Sequence, residues 1–376
     1  MQTTPFKISI DESVLNDLRD RLSRTRWPDA VLDGGWELGA DLAFMRRLAH
    51  YWQTQYDWRV HEKRLNDQAQ FIADVEGTSL HFVHVRGKGR RVTPLLLVHG
   101  WPDSFYRFHK VVPLLTDPAA HGIDPADAFD VVVPSIPGFG FSNGKVLPTD
   151  DVADRFAGLM RGLGYERFVA AGGDAGSMIV ISLSHRHADR LHGIHVTDVG
   201  YPDGNTDFSA LSPPEMEFAG FIQGWWMREG AFNLVQATKP QSVAFALTDS
   251  PVGMAAWMMS MISSGAGDKI DQRFTLDELL TNFTLYWATG TIGSSMRYYL
   301  ENARASAPGG GTRGRSDVPA AVAHMPWDAP LPRAWAERNV NVQRFTEMPR
   351  GGHFSAWEAP EAYAKDLQDF VGNLRK

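Results

Sequence analysis

The chain has 376 residues, 43% of them hydrophobic, and a formal charge of −7 at neutral pH. Its lysines and arginines are scattered rather than grouped, which argues against a nucleic-acid partner and against an anionic membrane surface. It contains no cysteine, so disulfides and thiol chemistry are excluded, a composition that fits a reducing compartment.

No run of about 18 apolar residues is present to span a bilayer. The opening MQTTPFK lacks the charged and apolar regions of a secretory signal, so a soluble cytoplasmic protein is the expectation. The first 92 residues read as a cover segment. Leu15, Leu18 and Leu22 recur at helical spacing within 11–25, and Leu42, Met45, Leu48 and Trp52 do so within 38–56. Residues 71–75 and 80–85 read as two strands about a turn at Glu76, Gly77 and Thr78.

Short apolar strands are then predicted at 95–98, 131–134, 168–171 and 194–197, separated by helical stretches. That alternation predicts a mostly parallel sheet flanked by helices. From about 200 to 300 the chain reads as helical, aromatic and Met-rich, and it returns through a Gly-rich connector at 307–316. Strands at 320–324 and 342–345 and a helix at 361–374 close the chain. The expected organisation is an N-terminal meander segment (1–92), a first part of the sheet core (93–200), a helical cap with its return connector (201–318) and a second part of the core (319–376).

Residues 168–177, FVAAGGDAGS, run an apolar strand into a tight turn with Asp174 at its tip. This is the pattern of a nucleophile elbow with aspartate where G-x-S-x-G has serine. A serine there attacks acyl groups, whereas a carboxylate can displace at a saturated carbon and leave an alkyl ester on the enzyme. The turn His99-Gly100-Trp101-Pro102 after the first core strand can aim the Trp101 N–H at the same site. Ala175, which follows the nucleophile, would supply a second oxyanion donor. Late in the chain, Gly351 and Gly352 precede His353, a suitable loop to present an imidazole. Asp328 follows the strand at 320–324 and stands in the order nucleophile, acid, histidine. Asp198, after the preceding strand, is the competing acid; placement favours Asp328. Trp225, Trp226, Met258, Met259 and Met261 in the cap could line an apolar pocket, although as a group they read better as helical core.

Beyond these motifs, the segments PFKI (5–8), LSRTRWPD (22–29), HGWPDSF (99–105), QATKPQ (236–241), DSPVG (249–253), LLTNFTLYW (279–287) and TEMPRGGHF (346–354) span nearly the whole chain. With them the sequence resembles the epoxide hydrolases of the α/β-hydrolase superfamily, in the branch of the microsomal and juvenile-hormone enzymes. The resemblance implies an α/β-hydrolase fold with a helical cap, Asp174 as nucleophile, His353 as water-activating base and Asp328 as charge-relay acid. It also implies that Tyr299, in SSMRYY (294–299), hydrogen-bonds the epoxide oxygen, with Tyr298 as the structural member of the pair.

Two positions depart from the family. Phe232 stands where a second tyrosine is usual, leaving the epoxide oxygen to Tyr299, water or another donor, or shaping the pocket for an unusual substrate. Ala175 stands where tryptophan is frequent; it keeps the backbone donor and removes a large wall. The expected reaction is opening of a small apolar epoxide by Asp174 and hydrolysis of the resulting ester by water, with no metal or organic cofactor. Phe232 and Trp101 are the expected substrate contacts. A homodimer is the commonest oligomer for such a chain. The rival readings are a haloalkane dehalogenase, which Ala175 disfavours for want of an indole donor, and a weakly catalytic binding protein, which Phe232 favours.

Overall fold

The structure is a computed structural model that describes residues 1–29, 35–124, 128–142, 144–266, 269–305 and 314–375. Its strands are β1 (Thr3–Phe6), β2 (Gln70–Val75), β3 (Thr78–Val85), β4 (Thr93–Val98), β5 (Phe129–Pro134), β6 (Phe168–Gly172), β7 (Leu191–Val196), β8 (Pro319–His324) and β9 (Asn341–Glu347). They form one sheet in the order β1-β2-β3-β5-β4-β6-β7-β8-β9. The pairs from β5 to β9 are parallel, and β1, β2 and β3 continue the sheet antiparallel.

The central strands are apolar on both faces because both faces are covered. Leu95, Leu96, Leu97 and Val98 of β4 and Val169, Ala170 and Ala171 of β6 are wholly buried. Helices Thr149–Gly162 and Ala175–Arg186 pack together over the sheet, as do Val111–Thr116 and Pro360–Leu374. The predicted strands from residue 71 onward are all present, and the fold is that of an α/β-hydrolase. The β2–β3 hairpin turns through Glu76 and Gly77, both at positive φ (51° and 76°), the backbone a two-residue type I′ turn demands.

The amino-terminal segment departs from expectation in three ways. Its second helix runs over Leu42–Thr54, not from residue 38, because the Asp41 carboxylate caps it by accepting from the Phe44 N–H at 2.7 Å. Strand β1 and helix Trp58–Asn66 carry too few apolar positions to stand out, yet both form; Trp58, His61 and Leu65 are the buried side of that helix. The segment is also no separate cover, since its strands extend the main sheet. The predicted connector at 307–316 lies largely outside the described residues, which resume at 314.

Between β7 and β8 the chain forms a helical cap, from Pro213–Glu229 through Ile292–Ala305. Helix Leu276–Thr289 is its keystone. Thr275 and Glu278 close a capping box at its start, with Thr275 N–H to Glu278 at 2.9 Å and Glu278 N–H to Thr275 at 3.2 Å. One side of this helix receives the amino-terminal helices: Trp52 Nε1–H donates to Thr284 (3.0 Å) and Tyr51 OH to Asp277 (2.9 Å). The other side grips the turn after β4, where Asn282 donates to Pro102 O (2.8 Å) and Tyr286 OH to Asp103 O (2.7 Å). No helix among the described residues is long and apolar enough to cross a membrane.

Candidate active site

Asp174 sits between β6 and helix Ala175–Arg186 with φ 57° and ψ −133°, a backbone region that side chains other than glycine rarely enter. The turn is that tight because Gly176 presses on β4: a Cβ there would lie against the Val98 carbonyl oxygen. The result lifts the Asp174 side chain above the carboxyl edge of the parallel strands, where loops of such sheets gather their reactive groups.

Three further loops converge on this carboxylate. After β4, the Trp101 N–H donates to Asp174 Oδ1 at 2.9 Å. Gly100 lets the two approach, since a Cβ on it would collide with the Asp174 carboxyl. After β9, His353 Nε2 lies 3.2 Å from Asp174 Oδ2. After β8, Asp328 Oδ2 lies 3.2 Å from His353 Nδ1. Asp198, the rival acid, bonds elsewhere: its Oδ2 accepts the Asp174 backbone N–H (2.8 Å) and the Thr197 hydroxyl (3.0 Å), and its Oδ1 accepts the Tyr201 hydroxyl (3.0 Å).

The electrostatics separate these groups. Burial works against an ionised Asp174, but its bond to His353 and the backbone N–H groups of Ala175 and Trp101 win, and its pKa lies below the ordinary carboxylate value. Burial likewise opposes a charged His353 ring; the Asp328 charge and the bonds to Asp174 and Asp328 overcome it and hold the ring well above the usual histidine range. Asp328 is lowered against its own burial by the His353 charge and hydrogen bond. Asp198 is raised by burial, to which the nearby Asp328 charge adds. One atom each from Asp198, Asp328 and His353 lies within 4.8 Å of the others, a spacing that could suit a cation. Those side chains are already engaged, Asp328 with the His353 ring and Asp198 with the Asp174 backbone, Thr197 and Tyr201.

Asp174 and His353 open onto a cavity of about 700 Å3 between cap and sheet. Its wall includes Ala175, Tyr201, Trp225, Trp226, Phe232 and Tyr299. The Tyr299 hydroxyl makes no hydrogen bond among the described residues, and burial carries its pKa well above the ordinary tyrosine value, with the Asp174 charge adding to this. Tyr298 instead bonds Thr149 at 2.7 Å. Phe232 stacks on Trp101 with centroids 5.7 Å apart and planes 9° from parallel, and meets Tyr299 edge-on at 6.0 Å.

Trp101 was expected among the substrate contacts; its ring is wholly buried behind Phe232 and takes no part in the cavity wall. The cap residues divide. Met258 and Met259 are core, whereas Trp225, Trp226 and Met261 line the cavity. Sequence reading missed Tyr201, Asp103 and Arg107. Tyr201 carries no motif, and Arg107 stands in RFHK (107–110), which looks like an exposed basic stretch but holds a fully buried guanidinium.

A carboxylate where a serine elbow would stand, a histidine bonded to it, a second acid bonded to that ring and a capped cavity above them define an α/β-hydrolase fold with an aspartate elbow. The comparisons agree with that class. A family model described as epoxide hydrolase N terminus matches residues 3–108, and one described as alpha/beta hydrolase fold matches 93–290. The chain is 34% identical to epoxide hydrolase 1 of Sus scrofa, across 99% of this chain and 89% of that protein. It is 32% identical to juvenile hormone epoxide hydrolase 2 of Ctenocephalides felis, across 96% and 84%. The crystal structure of juvenile hormone epoxide hydrolase from Bombyx mori superimposes with a TM-score of 0.89 at 27% identity, covering 100% of this chain and 95% of that one. That of the Aspergillus niger epoxide hydrolase gives 0.84 at 26%, covering 100% and 97%. The chain belongs to the epoxide hydrolase family, in the branch of the microsomal and juvenile-hormone enzymes that its motifs pointed to.

Proposed function

We propose that this enzyme opens a small apolar epoxide to a vicinal diol through an ester on Asp174. The observation that carries the reading is a single carboxylate held on one oxygen by the Trp101 N–H and on the other by His353 Nε2, beneath an apolar cavity. Its depressed pKa keeps Asp174 ionised, as a nucleophile must be.

In the first step Asp174 Oδ2 bonds to an epoxide carbon, the carbon–oxygen bond of the ring breaks, and the leaving alkoxide takes the proton of Tyr299. The Tyr299 hydroxyl, with no hydrogen-bond partner among the described residues and its pKa well above the ordinary tyrosine value, keeps its proton until the more basic alkoxide appears. Alkylation cancels the negative charge of Asp174 and with it part of what holds the proton on His353. The ring can then pass that proton through water to the Tyr299 phenolate, restoring the phenol, and act as base, oriented by Asp328. Water gives a proton to His353 Nε2 and attacks Cγ of Asp174, and the tetrahedral oxyanion on Oδ1 is held by the N–H groups of Trp101 and Ala175. The Cγ–Oδ2 bond then breaks, and the diol leaves with the original Oδ2 after taking the proton from His353. The new carboxylic acid returns its own proton to the ring.

Single turnover in heavy-oxygen water tests this. The label is expected in the Asp174 carboxylate and not in the first-turnover diol. A first-turnover diol fully labelled from solvent would exclude the ester. A dehalogenase reading gains nothing from Ala175, which offers only a backbone donor to a departing halide.

A further inference from the structure

We infer that Arg107, with Asp103, is a positioning residue that serves the second step of this reaction by setting the oxyanion donor and the base together. The inference rests on the ester mechanism proposed above.

Arg107 is 1% exposed and its guanidinium has different work for its two ends. Nη1 donates to Asp103 Oδ2, and Nη2 donates to the His353 backbone carbonyl at 2.7 Å. The other oxygen of Asp103 accepts the Gly100 N–H at 2.7 Å. Gly100 precedes Trp101, whose own N–H faces Asp174. Gly173, just before the nucleophile, lies so close that a Cβ on it would strike Nη2. One planar fork therefore spans the turn after β4, the elbow and the histidine loop, a geometry that a point charge does not reproduce.

The two steps depend on this scaffold differently. During alkylation the charge on Asp174 is consumed, so a misplaced Trp101 N–H removes stabilisation from the starting carboxylate as well as from the transition state. During ester hydrolysis negative charge grows on Oδ1 while His353 must aim a water at Cγ. Both demands fall on parts that Arg107 holds. Removing an oxyanion donor outright costs about 100-fold or more, so its misplacement is expected to slow hydrolysis by about tenfold or more.

The test is rapid-quench kinetics with styrene oxide on the full chain, following the Asp174 ester by intact mass in wild type, Arg107→Gln and Arg107→Lys. Rate constants rather than amplitudes are compared, so a partly folded sample does not imitate the effect. Ester breakdown is expected to fall about tenfold or more in Arg107→Gln with formation within about threefold, so that ester accumulates. Lysine, supplying one nitrogen where two are used, is expected to give a smaller fall in the same step. Should Arg107→Gln not fold, Arg107→Lys decides on that criterion. Equal slowing of both steps, or of neither, overturns the positioning role while leaving the ester mechanism standing. A wild-type enzyme that turns over without any ester overturns the mechanism and this inference with it.

Discussion

The carboxyl of Asp198 holds the backbone N–H of Asp174 at 2.8 Å, while the carboxyl of Asp328 holds the ring of His353 at 3.2 Å. Two acids in the loops after neighbouring strands thus divide the labour, one fixing the Asp174 backbone and the other the His353 ring. Replacing Asp328 by Asn is expected to lower ester hydrolysis by about 100- to 10,000-fold, since the imidazole loses its orienting charge. Replacing Asp198 by Ala strands the Asp174 amide and the Tyr201 hydroxyl, and should cost about 1–3 kcal/mol of stability. Stopped-flow breakdown rates and urea denaturation separate the two; a larger loss of hydrolysis in the Asp198 variant would reverse the assignment.

Strain at the elbow gives a second prediction. Both Asp174→Ala and Asp174→Gly should abolish turnover while leaving epoxide binding measurable by calorimetry. Because the site demands φ 57°, the Gly variant should resist denaturant better than the Ala variant by about 1 kcal/mol. The comparison cancels the lost charge, which both variants share. Equal stability would mean the backbone is relaxed there.

The opposed pKa shifts predict a pH window. Asp174 lies below the ordinary carboxylate value, so it stays ionised and alkylation persists as pH falls. His353 is raised in the free enzyme; in the ester the Asp174 contribution is gone and that of Asp328 remains, and below the pKa of that state the ring keeps the proton that hydrolysis requires it to lose. Acidification should therefore stop breakdown before formation, and quenched samples should contain more ester at mildly acidic than at alkaline pH. A constant ester fraction across that range would show that His353 does not limit the second step.

Phe232 and Tyr299 meet at 6.0 Å between ring centroids, which makes a rescue experiment possible. Tyr299→Phe should slow ester formation by about 100-fold, the scale of one proton donor. Phe232→Tyr in that background should restore part of the rate, and in the wild-type background should raise ester formation. No gain in either background would identify Phe232 as a shape element of the pocket wall alone.

The sheet was legible because buried parallel strands must be apolar throughout, and the elbow because only glycines fit beside it. The Asp328–His353 pairing followed from chain order, although order alone left Asp198 open. What stayed hidden lacked a local signature. Helix Trp58–Asn66 carries only Trp58, His61 and Leu65 inward, and its formation depends on surfaces supplied from afar. Of the groups that Arg107 bonds, Asp103 is near it in sequence, while the His353 carbonyl lies 246 positions on, so no window around RFHK announces that the guanidinium is buried.

The amino-terminal helices do not reach the cavity: among the described residues none before Thr149 is part of its wall. They nevertheless clamp helix Leu276–Thr289, which in turn clamps the Trp101 turn through Asn282 and Tyr286. The amino-terminal segment is thus a rear buttress for the turn that carries Trp101. Trimming it away would loosen catalysis from behind, at a distance, without touching a single atom that meets the substrate.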